Sequence, residues 1–266
     1  MKTITKRLAI VLTTKCTLRC RLCSNHIPRF EKPAHTPYSE IVSDLDHIFE
    51  LFDYIDWLQL VGGEVFMRRD IGEIIEYAFK YKAKFKKMVI MTNATVLPRG
   101  TGMAVLKQHG KDCLIQISDY GPLSSKKDYL LKSLEQNEIS CVVKQYYGDN
   151  QYYGGWIDNT NREPFSGCDE ELKSLTAQCP QVVMQNMHSF GGKLYPCCNS
   201  CFLSELGAVH STKADFIDLN DTNISTEEKR AILSTFYLSP HASCRVCRWY
   251  DCNNANVRRH PAAEQI

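Results

Sequence analysis

Leu8-Ala9-Ile10-Val11-Leu12-Thr13-Thr14-Lys15-Cys16-Thr17-Leu18-Arg19-Cys20-Arg21-Leu22-Cys23 joins a short apolar run to three cysteines spaced C-x3-C-x2-C. The run is partly β-branched and has no polar alternation, the pattern of a strand buried on both faces of a parallel sheet. The cysteines follow in the loop beyond its C-terminal end. Thiolates are the usual ligands of iron–sulfur clusters, and four of them close a cubane. Cys16, Cys20 and Cys23 have no fourth partner nearby. A cubane on three thiolates keeps one iron open, as a catalytic metal centre does and a structural one does not. The competing occupant is zinc, which normally takes paired C-x2-C groups and fits the x3 gap poorly.

Outward from this loop, strands and helices alternate. Thr36 and Pro37 read as an N-cap and first helical position, followed by Ile41, Leu45, Ile48 and Phe52 at helical spacing. Trp57–Val61 reads as a second strand, ended by Gly62-Gly63. Asp70 with Glu73 resembles a capping box for a helix carrying Ile71, Ile74, Ile75 and Ala78. Lys87–Met91 is a third strand, and Met103–His109 a short helix closed by Gly110. Leu114–Ser118, Ser124–Asn137 and Cys141–Lys144 complete the series as strand, helix and strand. Such alternation predicts a parallel sheet with right-handed connections, closing partly into a barrel with chemistry at the strand C-termini. The candidate residues fall there: Cys16–Cys23 after strand one, Gly62–Glu64 after strand two, Asn93 after strand three, Ser118-Asp119 after strand four. The pattern fades after Lys144, which places a domain boundary near residue 165: 1–165 for the β/α part and 166–266 for a small α+β part rich in cysteine.

Composition narrows the class. The chain has 266 residues, 44% of them hydrophobic, enough for a substantial core. A balance of 32 basic against 30 acidic residues makes no electrostatic case for nucleic acid or an anionic membrane. The 13 cysteines are odd in number and clustered, unlike an extracellular disulfide framework, and point to metal chemistry in a reducing, cytoplasmic setting. Lys2, Lys6 and Arg7 precede the first apolar run, but it is too short for a secretory signal, and no stretch nears the roughly 20 apolar residues of a membrane span.

The cysteine spacing and its context resemble the radical S-adenosylmethionine (SAM) superfamily. The resemblance implies a partial (β/α)6-type barrel, a [4Fe–4S] cluster on Cys16, Cys20 and Cys23, and SAM at its open iron. It also implies that an electron from a donor such as flavodoxin or ferredoxin splits SAM, and that the 5′-deoxyadenosyl radical removes a hydrogen atom from substrate. Two positions depart from the family's commonest pattern: Leu22 stands where an aromatic residue usually precedes the third cysteine, and Val65 where proline usually follows Gly-Gly-Glu. Leu22 would lie on the adenine side, and Gly62, Gly63 and Glu64 would meet the amino group of the SAM methionine. Asn93, Ser118 and Asp119 read equally as helix caps or as SAM contacts. Lys144 could meet the SAM carboxylate, although an exposed lysine is the commoner case.

Gly192-Lys-Leu-Tyr-Pro-Cys197 and Cys244-Arg-Val-Cys247 resemble the auxiliary-cluster regions of this superfamily, called SPASM in the long form and twitch in the short. The twitch form implies a second [4Fe–4S] cluster on Cys179, Cys197, Cys244 and Cys247, with Cys198 the alternative to Cys197. Structural zinc is the competing reading of these four thiols. Cys113 and Cys141 read as core residues. Cys168, Cys201 and Cys252 have no assigned role, and structural roles are the default for His188 and His241. Tyr152, Tyr153 and Trp156 form an aromatic loop that either lines a substrate pocket or covers the barrel. Three functions follow. One is hydrogen abstraction from a small polar molecule, as in twitch-containing dehydrogenases of aminocyclitol biosynthesis, or epimerisation of a sugar. A second is modification of a ribosomally made peptide. A third, from another class, is a zinc-binding interaction module.

Overall fold

In a computed structural model of the chain, which describes residues 2–158 and 163–266, the apolar run lies inside β1 (Ile4–Thr13). Leu8, Ala9, Ile10, Val11 and Leu12 are each at most 1% exposed. Strand β1 pairs in parallel with β2 (Tyr54–Gly62) on one side and with β6 (Asn186–Phe190) on the other. With both edges and both faces covered, a continuous apolar run is what the position requires.

Beyond β1 come α1 (Tyr38–Leu51), β2, α2 (Ile71–Phe79), β3 (Phe85–Thr92), α3 (Gly102–Gln108), β4 (Cys113–Asp119), α4 (Lys127–Gln136) and β5 (Cys141–Gln145). The strands pair in parallel in chain order, which is the expected β/α alternation. Ile41, Leu45 and Ile48 of α1 and Ile71, Ile74, Ile75 and Ala78 of α2 bury their stripes against the sheet, none more than 1% exposed. Two expected caps are corrected. Helix α1 begins at Tyr38 with Pro37 as its cap, while the Thr36 hydroxyl donates to the Val11 carbonyl at 2.9 Å. Asp70 occupies the cap of α2 but makes no capping hydrogen bond, because Arg68 holds its carboxylate at 2.7–3.0 Å. The Thr36 hydroxyl is captured by a tertiary partner, the Asp70 carboxylate by a side chain two residues back.

The sixth parallel strand is not where a sequentially wound barrel would have it. The chain returns through α5 (Asp169–Ala177) and α6 (Pro180–Val183) to place β6 beside β1. Antiparallel β7 (Lys193–Tyr195) and β8 (Ile217–Asp218) follow, giving one eight-stranded sheet ordered β5-β4-β3-β2-β1-β6-β7-β8. Strand β5 stays an edge, with Val142 and Val143 38% and 40% exposed. After the expected boundary near 165, the chain thus extends the same sheet. Met187, Leu194, Ile217, Leu219, Leu233 and Phe236 join the core built on Leu8, Ile10 and Ile48. Helix α7 (Cys198–Glu205) follows β7, and α8 (Thr226–Thr235), begun by a Ser225–Glu228 capping box, packs on α1. There Arg230 donates to the Leu51 and Glu50 carbonyls at 2.9 and 3.0 Å. Among the described residues no helix is long and apolar enough to cross a membrane.

Ser189 of β6 donates to Asp44 of α1 at 2.6 Å, tying the returning strand to the first helix. Burial pushes the Asp44 carboxyl up to about 6 from 3.8. The folded state therefore holds this proton more tightly than the unfolded state. The associated stability is complete below about pH 4 and is lost as pH rises through about 6. Urea unfolding of the wild type against Asp44→Asn should show the wild type losing up to about 3 kcal/mol relative to the variant between pH 4 and 7. Parallel pH profiles would show that the carboxyl does not titrate in this range.

Candidate functional site

The cysteine loop springs from the C-terminal end of β1. Its backbone turns on itself, with the Cys23 N–H donating to the Cys20 carbonyl at 3.2 Å and the His26 N–H to the Cys23 carbonyl at 2.9 Å. Cys20 is buried, and Cys16 and Cys23 are partly buried. Burial pushes the Cys16 and Cys23 thiols up to about 11, and the charge of a neighbouring thiolate in the loop adds to each. A coordinating cation reverses that preference and takes thiols in the deprotonated form. N–H donors already face the sulfurs. The Leu18 N–H and Asn93 Nδ2 each reach Cys16 Sγ at 3.5 Å, and Gln265 Nε2 reaches Cys20 Sγ at 3.4 Å. Among the described residues no three His, Cys, Asp or Glu side chains converge on one ion position. Three thiols in one loop, each a candidate for one iron corner and met by N–H donors, form a donor set that a cubane can take.

Gly62 and Gly63 are explained by how closely this loop approaches β2. The Gly63 N–H donates to the Thr13 carbonyl at 2.8 Å, and the Glu64 N–H to the Lys15 carbonyl at 2.9 Å. A Cβ on Gly62 would lie 2.2 Å from the Thr13 oxygen, and one on Gly63 2.1 Å from the Lys15 oxygen. Gly62 also takes φ +140°, which residues with a side chain resist. Glu64 differs from the expectation of a carboxylate open to a ligand ammonium. It is fully buried, and its oxygens accept from the Phe66 and Asn93 N–H groups and the Thr92 hydroxyl at 2.8–3.0 Å. It pins the ends of β2 and β3 together.

The remaining strand-end residues separate into two kinds. Asn93 belongs to the cysteine loop, its Nδ2 also donating to Thr17 Oγ1 at 3.3 Å. Asp119 closes the turn after β4, accepting from the Gly121 N–H at 3.0 Å and from Lys127 Nζ at 2.9 Å. Ser118 is partly exposed and offers its carbonyl to Ser124 Oγ at 3.3 Å. Leu22 is buried, 4% exposed. Lys144 sits over the Tyr152 ring at 4.6 Å. Trp156 packs with Tyr120, Leu18 and Ala263 around Cys20, which brings the aromatic loop to the thiols. The Tyr153 side chain lies outside the described residues.

Several supports carry no sequence signal. Arg68, 3% exposed, donates to the Leu12 and Thr36 carbonyls at 2.7 and 2.6 Å while pairing with Asp70, and so holds the end of β1. Asn25 Nδ2 donates to the Gly62 carbonyl at 2.8 Å. Residues 264–266 lie along the loop: the Arg21 N–H donates to the Glu264 carbonyl at 2.7 Å, and the Ile266 N–H to the Arg19 carbonyl at 3.0 Å. Contacts spanning some 245 residues of chain are invisible to any local pattern.

The C-terminal cysteines make a second group. Cys179, Cys197, Cys244 and Cys247 all line one small recess, partly open to solvent, with Tyr237, His241 and Trp249 among its other walls. Cys179 caps α6, Cys197 caps α7 at the end of the β6–β7 hairpin, and Cys244 and Cys247 lie on the turn after α8. Cys198 is buried in the apolar cluster with Cys201 and Phe202, against which Cys16 and Cys23 pack, and its thiol remains within electrostatic reach of Cys179. Burial pushes the Cys244 thiol up to about 11 and raises Cys179, Cys197 and Cys247 as well, while neighbouring thiolates add to the last two. His241 donates Nε2–H to the Phe236 carbonyl at 2.6 Å, and His188 is buried away from the recess. Cys113 is in the core as expected, whereas Cys141 is exposed because β5 is an edge. Cys168 is exposed at the start of α5 and Cys252 is partly exposed.

Because the oxygen facing Gly63 belongs to the backbone, Gly63→Ala cannot be absorbed by a side-chain rotation. The variant should fold but take up less iron at the three-thiol loop than the wild type. Iron content and charge-transfer absorption after anaerobic reconstitution would check this, and a full iron complement in Gly63→Ala would contradict it.

No curated protein matches the chain by sequence. Solved structures are similar along its whole length. BtrN in complex with AdoMet and 2-DOIA is 10% identical with a TM-score of 0.60, covering 100% of both chains. Histidine-tagged anSMEcpe with bound AdoMet is 13% identical with a TM-score of 0.57, covering 98% of this chain and 92% of that one. Native anSMEcpe with bound AdoMet and Cp18Cys peptide is 13% identical with a TM-score of 0.55, covering 97% and 89%. At such identities the likeness is one of fold. The segment that holds the three-thiol loop, the Gly-Gly-Glu corner and the ends of β3 and β4, residues 10–118, matches the model of the radical SAM superfamily.

Proposed function

We propose that the chain is a radical SAM enzyme with two [4Fe–4S] clusters, acting on a small polar molecule of the sugar or aminocyclitol class by dehydrogenation or epimerisation. The observation that carries this reading is the three-thiol loop seated on the Gly62-Gly63 corner at the C-terminal end of a parallel sheet, within the segment matched to the superfamily. Cys16, Cys20 and Cys23 would hold the first cluster and leave one iron for SAM. When bound, that cluster supplies the electron that splits SAM and so generates the hydrogen-abstracting radical. Asn93 and Gln265 orient N–H groups toward the sulfurs, and the wall of Leu18, Tyr120, Trp156 and Ala263 keeps water from that side of the loop. Cys179, Cys197, Cys244 and Cys247 would saturate the second cluster, which suits electron acceptance or transfer rather than direct substrate binding. A reduced donor such as flavodoxin or ferredoxin would supply the first electron, in a cytoplasmic setting.

Support for the small-molecule reading comes from the full mutual coverage with BtrN, whose structure contains 2-DOIA beside AdoMet. The similar anSMEcpe structure with a bound peptide supports a second reading, modification of a peptide by the same chemistry. Turnover with aminocyclitols or sugars against turnover with cysteine-containing peptides separates the two.

Anaerobic reconstitution should yield a brown protein with about eight irons per chain, four for each cubane. Cys16→Ala should abolish 5′-deoxyadenosine formation from SAM under reducing conditions and leave about four irons. Cys197→Ala should also leave about four irons but still cleave SAM, losing substrate turnover instead. A colourless, zinc-loaded protein, or cleavage undiminished in Cys16→Ala, would remove the enzyme reading.

A further inference from the structure

Two buried side chains join the cysteine groups. His26 follows Cys23 by three residues, and Asn199 follows Cys197 by two. Each is 1% exposed. His26 Nε2 lies 2.9 Å from Asn199 Oδ1, and Asn199 Nδ2 donates to Cys247 Sγ at 3.0 Å. The amide orientation requires the imidazole to donate through Nε2–H, since Asn199 Oδ1 can only accept. At the other end, the His26 N–H donates to the Cys23 carbonyl at 2.9 Å. His26 holds φ 50°, a left-handed conformation uncommon for a residue with a side chain, and α7 supplies the partner its ring reaches. The path Cys23–His26–Asn199–Cys247 therefore consists of a backbone bond, an imidazole and one amide, all out of water.

We infer that Asn199 and His26 are positioning residues that set the reduction potential of the second centre and lock it in register with the first. This inference rests on the reading of Cys247 as a ligand of the second cluster. An N–H aimed at a thiolate sulfur offsets its negative charge. That favours the reduced cluster, in which the charge on sulfur is greater, and so raises the potential. His26 acts one step back, holding the amide so that Nδ2 and not Oδ1 faces the sulfur. The Trp249 N–H also donates to Cys247 Sγ, at 3.3 Å, but it is backbone and fixed by its own turn. Asn199 is the donor whose aim depends on the first cysteine loop. The arrangement makes the second centre a better electron acceptor only when the first loop is in place.

Redox titration of both centres by electron paramagnetic resonance, on protein of measured iron content, tests this. Asn199→Leu removes the donor at similar size. It should keep about eight irons, as expected for two cubanes, and shift the second centre to a more negative potential while leaving the first unchanged. His26→Phe should shift the second centre in the same direction. His26→Gln, whose amide N–H can replace Nε2–H, should restore the wild-type value. A purely structural role would lower iron content or move both centres, and would not distinguish Phe from Gln at position 26. Full iron with an unshifted second centre in Asn199→Leu overturns the inference. Should Asn199→Leu fail to hold the second cluster, equal potentials in His26→Phe and His26→Gln overturn it. A wild-type chain with only one cluster overturns the reading beneath it as well.

Discussion

The structure depends on the meeting of two backbones. The loop after β1 crosses the end of β2 so closely that carbonyl oxygens of Thr13 and Lys15 occupy the space of side chains at positions 62 and 63. Two hydrogen bonds, from the Gly63 and Glu64 N–H groups, fasten the crossing. Because both partners are main chain, the position of Cys16 relative to β2 is set without any flexible side chain. Arg68 completes the anchorage by tying the last carbonyl of the apolar run to the residues just before the first helix. The three cysteines are thus held by a rigid frame, the sheet itself.

From that corner the interior polar groups spread outward in a connected set. Glu64 gathers donors from β3, and Asn93, fixed by one of those bonds, presents its amide to Cys16. The far end of the chain presents another amide to Cys20, and Asn199 presents a third to Cys247. Each sulfur so served sits where its thiol form is favoured by burial alone. Amide donors and a bound cation act in the same direction, toward the thiolate.

Placing the second cysteine group on strands that extend the β1 edge has a consequence for coupling. Because β6 pairs directly with β1, the hairpin that carries Cys197 and the strand that delivers Cys16 are neighbours. The first turn of α7 lies between the two cysteine groups: Cys197 and Asn199 line the recess, and Cys198 sits in the apolar cluster against which Cys16 and Cys23 pack. A detached cysteine-rich unit could not keep such a contact under domain motion. A shared sheet can, since its ladder and core must break for the centres to separate.

Much of this was legible in the chain. The doubly buried run Leu8–Leu12, the β/α alternation as far as Cys141, and the three-thiol loop at a strand end all follow from periodicity and spacing, which are local properties. The four cysteines that line the recess are implied by the resemblance to the twitch region, with Cys197 and Cys198 left as alternatives. What local pattern could not show was where the sixth parallel strand goes, because strand order is chosen by which edge remains unpaired. Nor could it show that Glu64 turns inward to Thr92 and Asn93, or that Gln265 returns to Cys20. Those outcomes are decided by competition among partners distant in sequence, and a buried carboxylate or amide takes whichever donor or acceptor the finished packing brings within reach. The residue types and their spacing determined the chemistry; only the tertiary structure decided which groups face it, because hydrogen bonding inside a protein is settled by proximity in space.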